Sequence, residues 1–189
     1  MTVAMAFVSW LLPSAHRPGY PEPSLLDFDV RQLKTSVQAR FPSINAKPIR
    51  VWLRTQSTLA CIQGHGQCAS ICLHSVLNHP QTPRSVVEFI LCHEMLHLMY
   101  PPREVDGRRT VHSPEFWEAE KRFPHRTESW SWILIVLGAC LKRDSRQQCT
   151  FVKSNWKRLM DAERLSLEWI MKLLESGGTT LAGEEEIFL

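Results

Sequence analysis

The chain predicts an α+β fold, and three features of its apolar pattern carry that expectation. Short alternating runs are confined to residues 48–74, an amphipathic helical period precedes them, and every periodic stretch after residue 82 repeats at three or four. Strands gathered in one stretch and helices in others separate into a small sheet with helices packed on it. At 189 residues there is enough chain for one domain with a real core.

Taken in order, the chain opens on the apolar run Val3 to Leu12, broken by Ser9. No Lys or Arg precedes it, so the charged region of a secretory signal is missing, and the run is too short to span a bilayer. Residues 13–23 hold four prolines and read as an extended segment. From Ser24, the residues Leu25, Leu26, Phe28, Val30, Leu33, Val37 and Phe41 recur at helical spacing, ending before Pro42. Pro48 to Arg54 alternates as a half-buried strand. Leu59 to Ile62 is a second, turned by Gly64-His65-Gly66 into a third, Ala69 to His74. Strands so close in sequence predict a three-stranded antiparallel meander.

Helices follow. Thr82 stands as the N-cap of the next helix with Pro83 at its first position, and Ser85 with Glu88 offers a capping box one turn on. After Tyr100, residues 101–111 read as a loop. Ser113-Pro114 opens a second helix with Phe116, Trp117, Ala119 and Phe123 inward. A third runs from Thr127 to Leu141, and a fourth from Ser154 to Leu174, stopped by Gly177-Gly178. The resulting division is an extended segment 1–23, a main domain 24–150, a C-terminal helix 151–177 packed on it, and an acidic tail 178–189.

The helix from residue 82 is apolar on every side, which suits the middle of a domain, yet it carries His93, Glu94 and His97. Burying three unpartnered polar groups is expensive. The spacing resolves the conflict: residues four apart share a helix face, so His93 and His97 can grip one ion, while Glu94 reaches a water beside it. Two neutral imidazoles with a glutamate as general base is the HExxH arrangement of zinc hydrolases. A third ligand is needed. His112 stands at the mouth of the next helix, where it can point back toward the first, and Glu115, Glu118 and Glu120 compete for the role. Two of these have a simpler use, Glu115 in a first helical turn and Glu118 beside Arg122.

His93-Glu94-x-x-His97 followed by His112-Ser113-x-x-Phe116-Trp117 resembles the SprT-like and YgjP-like zinc metallopeptidases across roughly residues 47–124. The resemblance implies a small zincin-like core, one zinc ion on His93, His97 and His112, Glu94 as catalytic base, and a protein or peptide substrate. Two features depart from the family. Cys140 and Cys149 cannot build the four-cysteine ribbon that many SprT-like proteins carry, and the loop between His97 and His112 is longer than in compact YgjP-like sequences. A metzincin pattern fails outright, because Tyr100 and Arg103 occupy the places of its glycine and third histidine.

The remaining expectations are looser. Tyr100, His125 and Arg103 are positioned to stabilise an oxyanion, and the strand Ala69 to His74 offers an edge on which an extended substrate could pair. The net charge of +3 is mild, but Lys142, Arg143, Arg146, Lys153, Lys157 and Arg158 cluster against Asp144 alone. That cluster reads as a solvated face; in a Spartan-type protease recruited to DNA it would be the DNA contact. A third reading is a zinc-bound interaction module without turnover. The six cysteines include no CxxC pair and read as reduced residues of a cytoplasmic protein with no membrane span.

Overall fold

The computed structural model describes residues 28–44, 48–64, 69–141 and 152–176. The first helix, α1, spans Val30–Arg40 and buries Val30, Leu33 and Val37. The Asp29 carboxylate accepts from the Arg31 amide at 2.8 Å, satisfying one of the donors a helix start leaves open. The predicted start at Ser24 falls outside the described residues. Phe41 caps the far end before Pro42, as the pattern implied.

Strands β1 (Ile49–Arg54), β2 (Ala60–Gln63) and β3 (Ala69–His74) form one sheet in the order β1-β3-β2. β2 runs antiparallel to β3, but β1 runs parallel to it, so the expected antiparallel meander is wrong for one of its two pairings. The link from Thr55 to Leu59 carries the chain past one strand position, and β3 folds back into the gap. β3 is the strand with most to bury: Ala69, Ile71, Leu73 and His74 are all inside. In the centre it aligns Ile49 with Ala69, Val51 with Ile71 and Leu53 with Leu73 on the face turned to the helices.

Helix α2 (Arg84–Leu96) packs against α1, α3, α4 and the sheet, and every residue from Val86 to Leu96 is buried. Its start differs from expectation. Pro83, not Thr82, is the N-cap, and no side chain caps it. Glu88 pairs with Arg84 at 3.2 Å and closes no capping box with Ser85. The Thr82 hydroxyl is taken instead by the Arg164 guanidinium at 3.0 Å.

Residues 101–111, read as a loop, contain a hairpin of β4 (Arg103–Val105) and β5 (Arg108–Thr110). Asp106 and Gly107 turn it with φ of 52° and 70°, the pair of positive angles that a two-residue hairpin turn needs. Helix α3 (Pro114–Glu120) starts as the sequence implied, with Ser113 Oγ accepting from the Phe116 amide at 3.3 Å. Helix α4 (Arg126–Leu141) buries Trp130, Trp132, Ile133, Leu134, Val136 and Leu137. Trp130 meets Phe89 edge-on with ring centres 5.3 Å apart.

The single C-terminal helix expected from Ser154 to Leu174 is two, α5 (Trp156–Asp161) and α6 (Leu167–Glu175). Arg164 lies in the break. Its buried guanidinium donates to Val76 O at 2.8 Å and Leu159 O at 3.1 Å as well as to Thr82. A continuous helix would keep the Leu159 carbonyl in its own ladder, and Ser166 then caps α6 by accepting from the Trp169 amide. Among the described residues no helix is long and apolar enough to cross a membrane.

Candidate metal centre

One helix and the segment before the next deliver three imidazoles to one point. His93 stands in the last turn of α2, His97 is its C-cap residue, and His112 ends the segment that the β4–β5 hairpin returns toward α3. Their ring centres lie 5.3 Å (His93–His97), 5.0 Å (His93–His112) and 4.9 Å (His97–His112) apart. One nitrogen from each falls within 4.8 Å of the others. A tetrahedral zinc site with bonds of about 2.0–2.1 Å would hold such nitrogens at about 3.4 Å, so a small inward rotation of the rings suffices.

The electrostatics suit a cation. Burial pushes His97 down to about 3 and His112 down to about 2, with the neighbouring His93 adding to both shifts. Both are therefore neutral at pH 7, the form that ligates. The His97 Nδ1 is buried and has no hydrogen-bond partner among the described residues, an arrangement that costs stability unless something electrophilic takes the lone pair. These residues fit a metal ion.

Of the competing carboxylates, none takes the third position. Glu115 is exposed and pairs with Arg103 at 2.6 Å; Glu118 is exposed and pairs with Lys121 at 2.7 Å, not with Arg122. Glu120 is fully buried but lies behind the site. Its Oε1 is 2.6 Å from His93 Nδ1, and its Oε2 accepts from Arg126 Nε at 2.7 Å and Trp130 Nε1 at 3.4 Å. Burial pushes this carboxyl up, but the hydrogen bond and charge of His93, with those of Arg126, outweigh it and hold the group ionised. A carboxylate on Nδ1 fixes the ring and would leave Nε2 as the nitrogen for a metal ion.

Sequence reasoning treated Glu120 only as a rival ligand. The signal for its real position was its phase: it sits four residues after Phe116 and three before Phe123, on the buried stripe of α3.

Glu94 is buried beside the triad. Burial raises its carboxyl to about 7, against the opposing pull of His93 and of a hydrogen bond from the Ile62 amide. It lines a recess of about 10 Å³ with Leu59, Ala60, Phe89, Ile90 and His93, space for one water-sized molecule between β2 and α2. Arg103 is held by Glu115, His125 is exposed, and Tyr100 is half-buried with its ring 6.5 Å from that of Phe116.

β3 cannot receive an added strand, because β1 and β2 occupy both its sides; among the described residues the open edge near Glu94 is that of β2. Of the basic cluster, Lys142, Arg143 and Arg146 fall outside the described residues, while Lys153, Lys157 and Arg158 lie on the 3₁₀ turn and α5. No family model matches the chain, and no curated protein matches it.

Proposed function

We propose that this protein is a zinc-dependent metallopeptidase of the SprT-like kind, with His93, His97 and His112 as ligands and Glu94 as general base. The observation that carries the reading is the convergence of three imidazoles, those of His93 and His112 buried and that of His97 half-buried, on one point with a buried glutamate one residue along the same helix. A zinc ion held by these three histidines would supply a Lewis acid able to lower the pKa of a nearby water toward about 7.

The chain's own residues do the rest. Glu94, buried one residue from His93, is placed to take a proton from water and to release it to a departing amine. The Ile62 amide keeps its carboxylate turned toward the site. Glu120, braced by Arg126 and Trp130, holds His93 in one tautomer. An extended peptide pairs along β2. Rungs of an antiparallel ladder alternate, and the Leu59–His74 rung is bonded at 2.7 Å, so the Ala60 amide and the Ala60 and Ile62 carbonyls face away from β3 for this pairing, while the Ile62 amide stays with Glu94. Main-chain pairing of this kind tolerates many substrate side chains.

The test is metal content and casein cleavage for the purified chain and for Glu94→Gln, with and without single-stranded DNA. Stoichiometric zinc with DNA-independent cleavage supports the reading. Cleavage only with DNA assigns the protein to the recruited class, and zinc without any cleavage assigns it to the interaction modules.

A further inference from the structure

Cys61 on β2 and Cys72 on β3 stand directly opposite one another, both thiols free and half-buried. The ladder alternates, so Cys61–Cys72, two rungs from the bonded Leu59–His74 pair, is again a hydrogen-bonded rung. Cα atoms on such rungs lie about 5.5 Å apart, inside the range a disulfide spans. Both side chains fall on the sheet face away from the helices, opposite in phase to the buried Ile71 and Leu73, where a small oxidant can reach them. Gln56 brackets the pair: its Nε2 donates to Cys72 O at 3.3 Å and its Oε1 lies 3.8 Å from Cys61 Sγ. The next residue after Cys61 is Ile62, whose amide holds Glu94.

We infer that Cys61 and Cys72 are a peroxide-sensitive dithiol whose reversible disulfide changes the hold of β2 on Glu94. The two thiols hydrogen-bond each other, which lowers Cys72 and, together with burial, raises Cys61. Arg54 adds to the lowering of Cys72, so Cys72 is the nucleophile. Its thiolate attacks one oxygen of hydrogen peroxide, breaking the O–O bond; Cys72 becomes a sulfenic acid and hydroxide leaves to be protonated to water. That oxidation removes the thiolate Cys61 had been bonded to. Cys61, losing its proton, attacks the Cys72 sulfur, forms the S–S bond and expels a second hydroxide, which takes up that proton. Two thiols and one peroxide yield one disulfide and two waters. The bond replaces the thiol–thiol hydrogen bond by a covalent tie at the rung beside Ile62, stiffening β2 where its amide holds Glu94.

The effect on hydrolysis rests on the proposed peptidase function; the disulfide and its effect on Ile62 do not. The experiment treats the full chain with one equivalent of hydrogen peroxide, maps peptides without reduction, and follows amide exchange. The expected result is a Cys61–Cys72 bridge, reversed by dithiothreitol and absent in Cys61→Ser and Cys72→Ser, with exchange at Ile62 altered by about threefold or more. A bridge to Cys68 in its place, two thiols still open to alkylation, or unchanged exchange at Ile62 in the bridged chain would overturn the inference. Casein cleavage should fall with peroxide in the wild type and hold in Cys72→Ser. A chain that bridges and alters exchange at Ile62 yet never cleaves casein refutes the peptidase reading alone.

Discussion

Glu120 shows how much a single residue behind a site can decide. Its carboxylate joins His93 to Arg126 and Trp130 in a volume closed to water, so the ring it orients has one tautomer and one direction. Glu120→Gln keeps the shape but replaces an ionised acceptor by an amide that can donate to the wrong partner. Zinc affinity, read by competition with a chromophoric chelator, is expected to fall about 10- to 100-fold while the fold persists. Unchanged affinity would mean that His93 needs no help. The three clustered histidines were legible because helical spacing alone puts His93 above His97, and His112 was reachable through its place before Ser113. The role of Glu120 was not, since a partner 27 residues away in sequence is set by how α3 packs on α2.

At the scale of elements, the mistakes share a cause. Local pattern marks where a strand or helix lies and says little about its neighbour. The strands were found to within a residue or so, yet β1 pairs parallel, because β3 gains most from the centre of the sheet. The hairpin of β4 and β5 was overlooked although Asp106-Gly107 is the dipeptide such turns favour; its strands are exposed and carry no apolar alternation. The last helix breaks for a tertiary reason, the buried Arg164. Replacing Arg164 by Ala strips the Thr82 hydroxyl and the Val76 and Leu159 carbonyls of a donor and is expected to cost about 3 kcal/mol. Urea unfolding measures it; a loss below about 0.5 kcal/mol would show that the break stands without the arginine.

The molecule as a whole should be acid-sensitive through His74, apart from any metal. His74 is fully buried at the end of β3, its Nδ1 accepts from the Val76 amide at 2.9 Å, and burial pushes it down to about 4 from 6.5. Below pH 6.5 the unfolded chain takes the proton first, so the contribution is complete above that pH and is lost as pH falls toward 4. The full loss approaches about 3 kcal/mol. Denaturation of a His74→Gln variant beside wild type at pH 7.5 and 5.0 isolates it: the wild type should lose more stability on acidification than the variant, and equal losses would contradict the assignment.

The central claim, that Glu94 is a base beside a three-histidine zinc site and not one of its ligands, has one direct measurement: zinc stoichiometry and casein cleavage of Glu94→Gln in parallel with wild type. The amide keeps the size of the carboxyl and an oxygen for the Ile62 amide, so zinc should remain at one per chain while cleavage falls about a hundredfold or more. Loss of zinc in this variant, or cleavage equal to wild type, would contradict it.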